Sequence, residues 1–299
     1  MAEGDTIYRT AVTLADALEG REVTEVGDRS PAVRRLDPRR LVGQHVDTVE
    51  PRGKHLLVWF EPSRLALHTH MRMSGSWHLY PPGERWRKPS HLAKVWIRTA
   101  EWVAVCFSAP VCELLSNEQV ARHPTLAALG PDPLGADGDN LDEARRRLDR
   151  RPDVPIGEAL LDQRVLAGVG NVYRCEVCFI LGIDPWTPVG ELDGEVRDAL
   201  LRTAMRLLQA NVADRSPQRV TAAARSGGAD RHYVYGRARR PCPRCATPIA
   251  VARQGTNARL TYWCPHCQGP GPSRSPSVAA ATIRPDHEAD NRASNAREA

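Results

Sequence analysis

No apolar run in this 299-residue chain is long enough to span a bilayer, and its start lacks the charged-then-apolar pattern of a secretion signal. These absences exclude a helical channel or transporter and lead to the expectation of a cytoplasmic protein with no membrane partner. Lysine is scarce as well: Lys54, Lys88 and Lys94 are the only three. Acidic side chains are almost missing from residues 215–267, which hold ten arginines against one acid, Asp230, a local balance of +9. The whole chain carries only +5 and residues 268–299 are balanced, so residues 1–214 are left at −4. A basic end on an otherwise acidic chain reads as a polyanion-binding surface, with a merely solvated charge run as the plain alternative.

What is present fits a soluble globular protein with room for two domains and extras, at 41% hydrophobic and 26% charged residues. Eight cysteines in a cytoplasmic chain argue for metal ligands or buried thiols over disulfides. Cys242, Cys245, Cys264 and Cys267 form two CxxC pairs separated by eighteen residues. Each pair sits on a tight turn whose sulfurs can converge, and two such turns supply the tetrahedral set preferred by a structural zinc, so one Zn2+ is expected. As thiolates the site would add about −2 and soften the basic balance. Cys106, Cys112, Cys175 and Cys178 read as small apolar residues.

Along the chain, Ile7, Ala11, Leu14 and Leu18 share one helical face, with Asp5 or Thr6 as its cap. Glu3 would lie just ahead of the positive end of that helix. Methionine before alanine is normally removed, which would make Ala2 the terminus; an α-amino group titrates near ~8 against ~10.4 for lysine, so a useful fraction is neutral and nucleophilic. A merely solvent-exposed start is the bland alternative. Period-two patterns then predict strands over 46–49, 54–60, 65–69, 93–98 and 103–108, forming a β-sandwich. Lys54 follows a glycine turn at Gly53. The loop His70-Met71-Arg72-Met73-Ser74-Gly75 displays a cation beside methionines, which either wedge into a base stack or plug a gap in the core.

Residues 130–139 read as a linker, after which helices are predicted over 141–148, 156–166, 172–181 and 192–209. Within the stretch LLDQRVLAGVGNVYRCE, residues 160–176, the helical pattern is broken by Gly168-Val169-Gly170-Asn171. Glycines there permit a tight turn and close approach to another molecule, and Asn171 can cap the second helix or turn its amide outward. Bare N–H groups at that helix start would suit a phosphate, although a plain helical hairpin explains the stretch too. Residues 222–230 are small and polar and read as mobile; the Pro-, Ser- and Ala-rich tail beyond Gln268 reads as disordered.

Taken together, the AEGDT start, PRGKHLL at 51–57, HMRMSG at 70–75, LLDQRVLAGVGNVYRCE at 160–176, VYGR at 234–237 and RLTYWCPHCQ at 259–268 resemble the Fpg/Nei family of DNA glycosylases, and within it the actinobacterial endonuclease VIII branch. The resemblance covers residues 1–268 in the expected order. It implies an α+β fold: an N-terminal catalytic β-sandwich with its leading helix over 1–128, a helix-two-turn-helix domain over 129–225, a zinc finger over 226–268 and a disordered tail over 269–299. It further implies a bifunctional glycosylase and AP lyase of base excision repair, acting as a monomer on damaged double-stranded DNA and favouring oxidised pyrimidines. On that resemblance Ala2 supplies the amine that attacks C1′, Glu3 helps open the sugar, Lys54 assists base loss and β-elimination, and Arg259 grips phosphate and supports δ-elimination. Arg72 and Met73 would fill the space left by the extruded base, while Gly168, Gly170, Asn171 and Arg237 would contact the DNA. The chain departs from the family pattern in having Ala2 where proline is usual and Ala128 where a phosphate-binding arginine stands, with Arg122 as a substitute cation. Those departures keep a second reading in view, a lesion-binding protein without catalysis. A zinc-ribbon interaction module would account for the last third alone.

Overall fold

The computed structural model describes residues 2–135, 140–213, 218–222 and 231–272. Helix α1, Gly4–Leu18, buries Ile7, Ala11, Leu14 and Leu18 on one face, as their spacing predicts. Its cap is not Asp5 or Thr6. Glu3 is the N-cap and offers only its carbonyl, to the Thr6 and Ile7 N–H groups, because the Asp5 side chain is drawn away to Arg9 and Arg219.

Strand β1, Glu25–Asp28, and helix α2, Pro31–Arg34, lead into β2, His45–Arg52, β3, His55–Glu61, β4, Leu65–His70, and β5, Ser76–Tyr80. Then come β6, Ala93–Arg98, β7, Val103–Phe107, and β8, Val111–Ser116. They pair antiparallel into two four-stranded sheets, β2-β3-β4-β8 and β1-β6-β7-β5, whose inner faces and α1 share one core. The predicted sandwich is therefore present. Lys54 lies in the β2–β3 turn with Gly53 and not on the strand. Strand β3 is buried on both sides, since Leu57 on its outer face packs under Val120 and Leu126 of helices α3, Asn117–Ala121, and α4, Pro124–Ala127. A strand covered on two faces loses alternation and reads as a continuous apolar run.

The second half holds α5, Leu141–Asp149, α6, Ile156–Ala159, α7, Asn171–Leu181, and α8, Gly194–Ala213, around its own core. The helix predicted over 156–166 stops at Ala159. Asp162 ends it, its Oδ1 accepting from Arg164 N at 2.9 Å in a local turn that competes with the helix ladder. Leu160, Val165 and Leu166 still reach the core, from turns.

The described part of the predicted linker is docked, not loose. Gly130 N donates to Gln163 O, Pro131 O accepts from Ala167 N, and Asp132 Oδ2 accepts from Gly53 N at 2.5 Å. Residues 136–139, 223–230 and 273–299, which include parts of that linker, the mobile segment and the tail read from sequence, lie outside the described residues. Hairpin β9, Ala250–Gln254, with β10, Arg259–Trp263, completes the fold beside the four cysteines. Among the described residues no helix is long and apolar enough to cross a membrane.

Candidate active site

The glycine-rich break after Leu166 meets the start of the chain. Gly168 adopts φ +88°, and its carbonyl accepts from Gly4 N at 2.9 Å. A Cβ on Gly4 would stand 2.8 Å from Gly168 Cα, so the two backbones touch because neither carries a side chain. The molecule these glycines approach is thus the protein's own N-terminal arm. At Gly170 the same logic applies to a side chain: a Cβ there would lie 2.3 Å from Glu3 Cδ.

Glu3 is fully buried in that notch. Its Oε1 accepts from Val172 N at 2.9 Å, so a carboxylate from the sandwich half caps α7 of the helical half at its positive end. Oε2 is buried too and accepts no hydrogen bond from the described residues. Ala2, adjoining it, is half-buried against the sandwich core. Lys54 Nζ reaches from the β2–β3 turn to donate to Val169 O at 2.6 Å. Burial, with help from Arg259 and Arg219 and against the pull of Glu3, brings its amine down to about 8. A carboxylate with an open oxygen, an amine of lowered basicity and the chain start therefore converge at the junction of the two halves. Such a set can move protons around a covalent bond made by a neighbouring nitrogen.

The opposite wall belongs to the loop after β4 and to the finger. Met71 is buried and plugs the core, whereas Met73 is 62% exposed and Arg72 is exposed at φ +46°. Arg259, at the exposed start of β10, brings Nη1 to 3.9 Å from Met73 Sδ. Together with Lys54, Gly170 and Asn171, Arg259 lines a cleft of about 610 Å³. The Asn171 side chain is turned to protein: Nδ2 donates to Leu260 O at 2.8 Å and Oδ1 accepts from Arg174. Arg237 Nη1 donates to Tyr233 O at 2.7 Å and braces its own loop. Ala128 ends α4, and the cation at its carbonyl is Arg147, which also donates to Leu129 O and Arg164 O at 2.9 Å; Arg122 is exposed at the end of α3.

Sequence reasoning missed several charged residues that build this wall. Fully buried Arg174 ties Asn171 to Gln254 Oε1 and Leu260 O of the hairpin. Glu176, two residues further along α7, accepts from the N–H groups of Tyr233, Val234 and Tyr235 and from Thr221 Oγ1, all within 2.7–2.9 Å. Charged residues in so apolar a helix signal buried partners, but the partners across to the hairpin and the 221–235 region lie 45 to 86 residues away. Beneath the turn that carries Lys54 runs a second unforeseen chain: His55 to His68 at 2.8 Å, then His68 to Glu113 at 2.9 Å. Burial above all holds His55 down at about 2 and His70 at about 4, so both rings are neutral at pH 7.

The four finger sulfurs fit the metal expected of them. They all lie within 4.8 Å of one another, with Cys242 to Cys267 at 3.9 Å and Cys245 to Cys264 at 3.5 Å. A tetrahedral zinc with Zn–S near ~2.3 Å needs sulfurs about 3.8 Å apart.

Family models match the chain in three consecutive blocks. They are the formamidopyrimidine-DNA glycosylase N-terminal domain over residues 1–110, the formamidopyrimidine-DNA glycosylase H2TH domain over 129–221, and the zinc finger found in FPG and IleRS over 240–269. A Streptomyces coelicolor protein named "Probable endonuclease 8 2" is 47% identical over 279 residues, which cover 91% of this chain and 96% of that one. The chain belongs to the Fpg/Nei family of DNA glycosylases. A second Fpg/Nei relative, the "DNA-(apurinic or apyrimidinic site) lyase Nei2" of Mycolicibacterium smegmatis, is 38% identical over 268 residues, covering 90% of this chain and 99% of its own. Lactococcus lactis Fpg, solved non-covalently bound to DNA containing an AP site, superposes with a TM-score of 0.75 at 22% identity over 89% of this chain and 99% of that one, and shares the fold. Membership in the Fpg/Nei family, with the finger model over the clustered cysteines, makes the metal one structural zinc.

Proposed function

We propose that the protein is a bifunctional DNA glycosylase and AP lyase of base excision repair, acting as a monomer in the cytoplasm on oxidised pyrimidines in duplex DNA. The observation that carries this reading is the burial of Glu3 between Gly170 and the start of α7, directly beside residue 2 and across from Lys54. The neutral Ala2 amine attacks C1′ of the damaged nucleotide, and of its two N–H protons one passes through Glu3 to the sugar ring oxygen and the other leaves with the base. The ring opens, the base leaves, and nitrogen and C1′ are joined as a Schiff base. Protonated, that imine draws electrons from C2′; loss of the C2′ proton expels the 3′ phosphate, and a second elimination expels the 5′ phosphate. Lys54 assists proton movement at base loss and at β-elimination, and Arg259 holds the departing phosphate. Arg72 and exposed Met73 occupy the space of the extruded base, and the backbone at Gly168 and Gly170 together with Asn171 and Arg237 shapes the DNA-facing wall. The functional units follow as residues 1–128, 129–225 and 226–268.

Ala2 is a primary amine, so its imine must gain a proton before elimination, and slower strand cleavage than from a secondary amine follows. A binder without catalysis would use Glu3 Oε1 as the cap of α7 but would leave Oε2 without a role. The test is borohydride reduction during incubation with an abasic or thymine-glycol duplex. A covalent adduct through residue 2 is expected. Absence of any adduct from protein whose intact mass shows Met1 removed would refute the lyase reading.

A further inference from the structure

Arg219 reaches the chemistry from a part of the chain that composition marks only as basic. Asn211 near the end of α8 clamps the neighbouring backbone, accepting from Val220 N at 2.8 Å and donating to Val220 O at 2.9 Å. From that fixed base the Arg219 side chain, 11% exposed, runs along the Tyr173 ring, 5.1 Å from its centroid. Its Nε and Nη2 grip Asp5 at 2.5–3.1 Å, Nη2 donates to Thr6 Oγ1 at 2.9 Å, and Nη1 lies 3.8 Å from Glu3 Oε1. Asp5 is shared with Arg9, whose Nη1 is held by Asn211 O at 2.6 Å.

Glu3 and Asp5 are both fully buried, two residues apart on one short arm. Two carboxylates that close cannot both stay charged without a cation between them. Burial works against the Arg219 charge, but Glu3 and Asp5 outweigh it and hold the guanidinium above its usual range. A planar fork meets both acids at once, which a point charge on a lysine stem does not.

We infer that Arg219, locked by Asp5, is a positioning residue for Glu3: it commits Oε1 to the α7 end and leaves Oε2 as the oxygen that exchanges a proton with the sugar. This rests on the glycosylase and lyase reading above. Apart from Arg219 and Asp5, the titrating groups that feel Glu3 include Lys54 from the β2–β3 turn, Tyr173 from α7, and His232 and Tyr235 from the segment before the finger. Among ion pairs of the described residues Arg219 is the one cation within 4 Å of it.

The test uses the full chain and its Arg219→Met, Arg219→Lys and Asp5→Asn variants. Single-turnover nicking of an abasic duplex from about pH 5.5 to pH 9 is read beside adduct trapping and thermal melting. For Arg219→Met the expected result is a rate lowered roughly 30- to 100-fold, the loss typical of a catalytic group displaced by about 1 Å. One limb of the pH–rate profile should also move to higher pH, because the site loses a nearby cation. Arg219→Lys should restore the limb but only part of the rate, and Asp5→Asn should lower the rate through a misplaced guanidinium. If Arg219→Met lowers the melting temperature yet leaves the rate per folded molecule and the limb unchanged, the inference is overturned. Should that variant fail to fold, an Asp5→Asn protein with wild-type rate and limb overturns it equally. Failure of the wild-type chain to form any adduct sinks the broader reading instead.

Discussion

Adding a single methyl group at Gly170 should disable the site without unfolding it. The Gly170 backbone, at φ −122° and ψ −163°, is open to any residue, so Gly170→Ala brings no torsional strain. The new Cβ would stand 2.3 Å from Glu3 Cδ, 2.5 Å from Cγ and 2.6 Å from Oε1, against a contact optimum near ~3.5 Å. Glu3 must therefore retreat by about 1 Å, which stretches the 2.9 Å bond to Val172 N past useful length. Overpacking of this kind costs about 1–3 kcal/mol, and losing the cap costs about 1 kcal/mol more. Stability falls while the protein stays folded. The rate suffers further: a catalytic group displaced by about 1 Å loses roughly 100-fold, or about 2.7 kcal/mol of barrier. The assay is single-turnover cleavage of an abasic duplex, with melting temperature and affinity for a duplex carrying a non-cleavable abasic analogue. Slow cleavage at near-normal affinity is expected. Cleavage within about threefold of wild type, where ~1.4 kcal/mol is tenfold, would refute the claim that this notch holds the acid. Affinity falling in step with rate would instead make Gly170 a DNA contact.

Lys54→Met should abolish most activity yet stabilise the fold, because Val169 O keeps the Gln163 Nε2 donor at 2.9 Å when the amine is gone. The folded amine titrates at about 8 instead of 10.5, so below pH 8 the folded state carries the full penalty, on the order of 3 kcal/mol. Between pH 8 and 10.5 only the unfolded chain stays protonated, so wild-type stability rises with pH and the gap to Lys54→Met in chemical denaturation should close. Glu176→Gln puts an amide N–H2 among four donors and should cost about 2–4 kcal/mol in urea unfolding, with faster amide exchange at Tyr233, Val234 and Tyr235; unchanged stability would show that Glu176 does not hold this backbone. Thiol-reactive reagent should release one zinc per chain, read with a metallochromic dye, and strand cleavage should vanish as the hairpin carrying Arg259 loosens. Activity that survives zinc loss would detach the finger from catalysis.

Much of this architecture is legible in the sequence where meaning is local. The CxxC spacing, the helical face of Ile7 to Leu18 and the alternation of Ala93 to Arg98 each settle an element from residues close together. Strands β1, β5 and β8 escaped because their apolar content is slight or their partners are distant in sequence. The helix ending at Ala159 shows one aspartate overruling an apolar period that continues to Leu166. At the site, Glu3, Lys54 and Arg259 stand out through motif, while Asp5 and Arg219 stay hidden: each is an ordinary surface type until the fold closes their sequence separation of 214 and the two meet. Gly170 was legible as a special position, but the neighbour that needs its bareness was not.

The bond between Glu3 and Val172 has a mechanical consequence. One carboxylate is at once reagent and rivet, fastening the sheet-built lobe to the helical one beside the reacting nitrogen. A movement that parted the two lobes would break this bond and unseat the acid, so reactivity depends on their staying together.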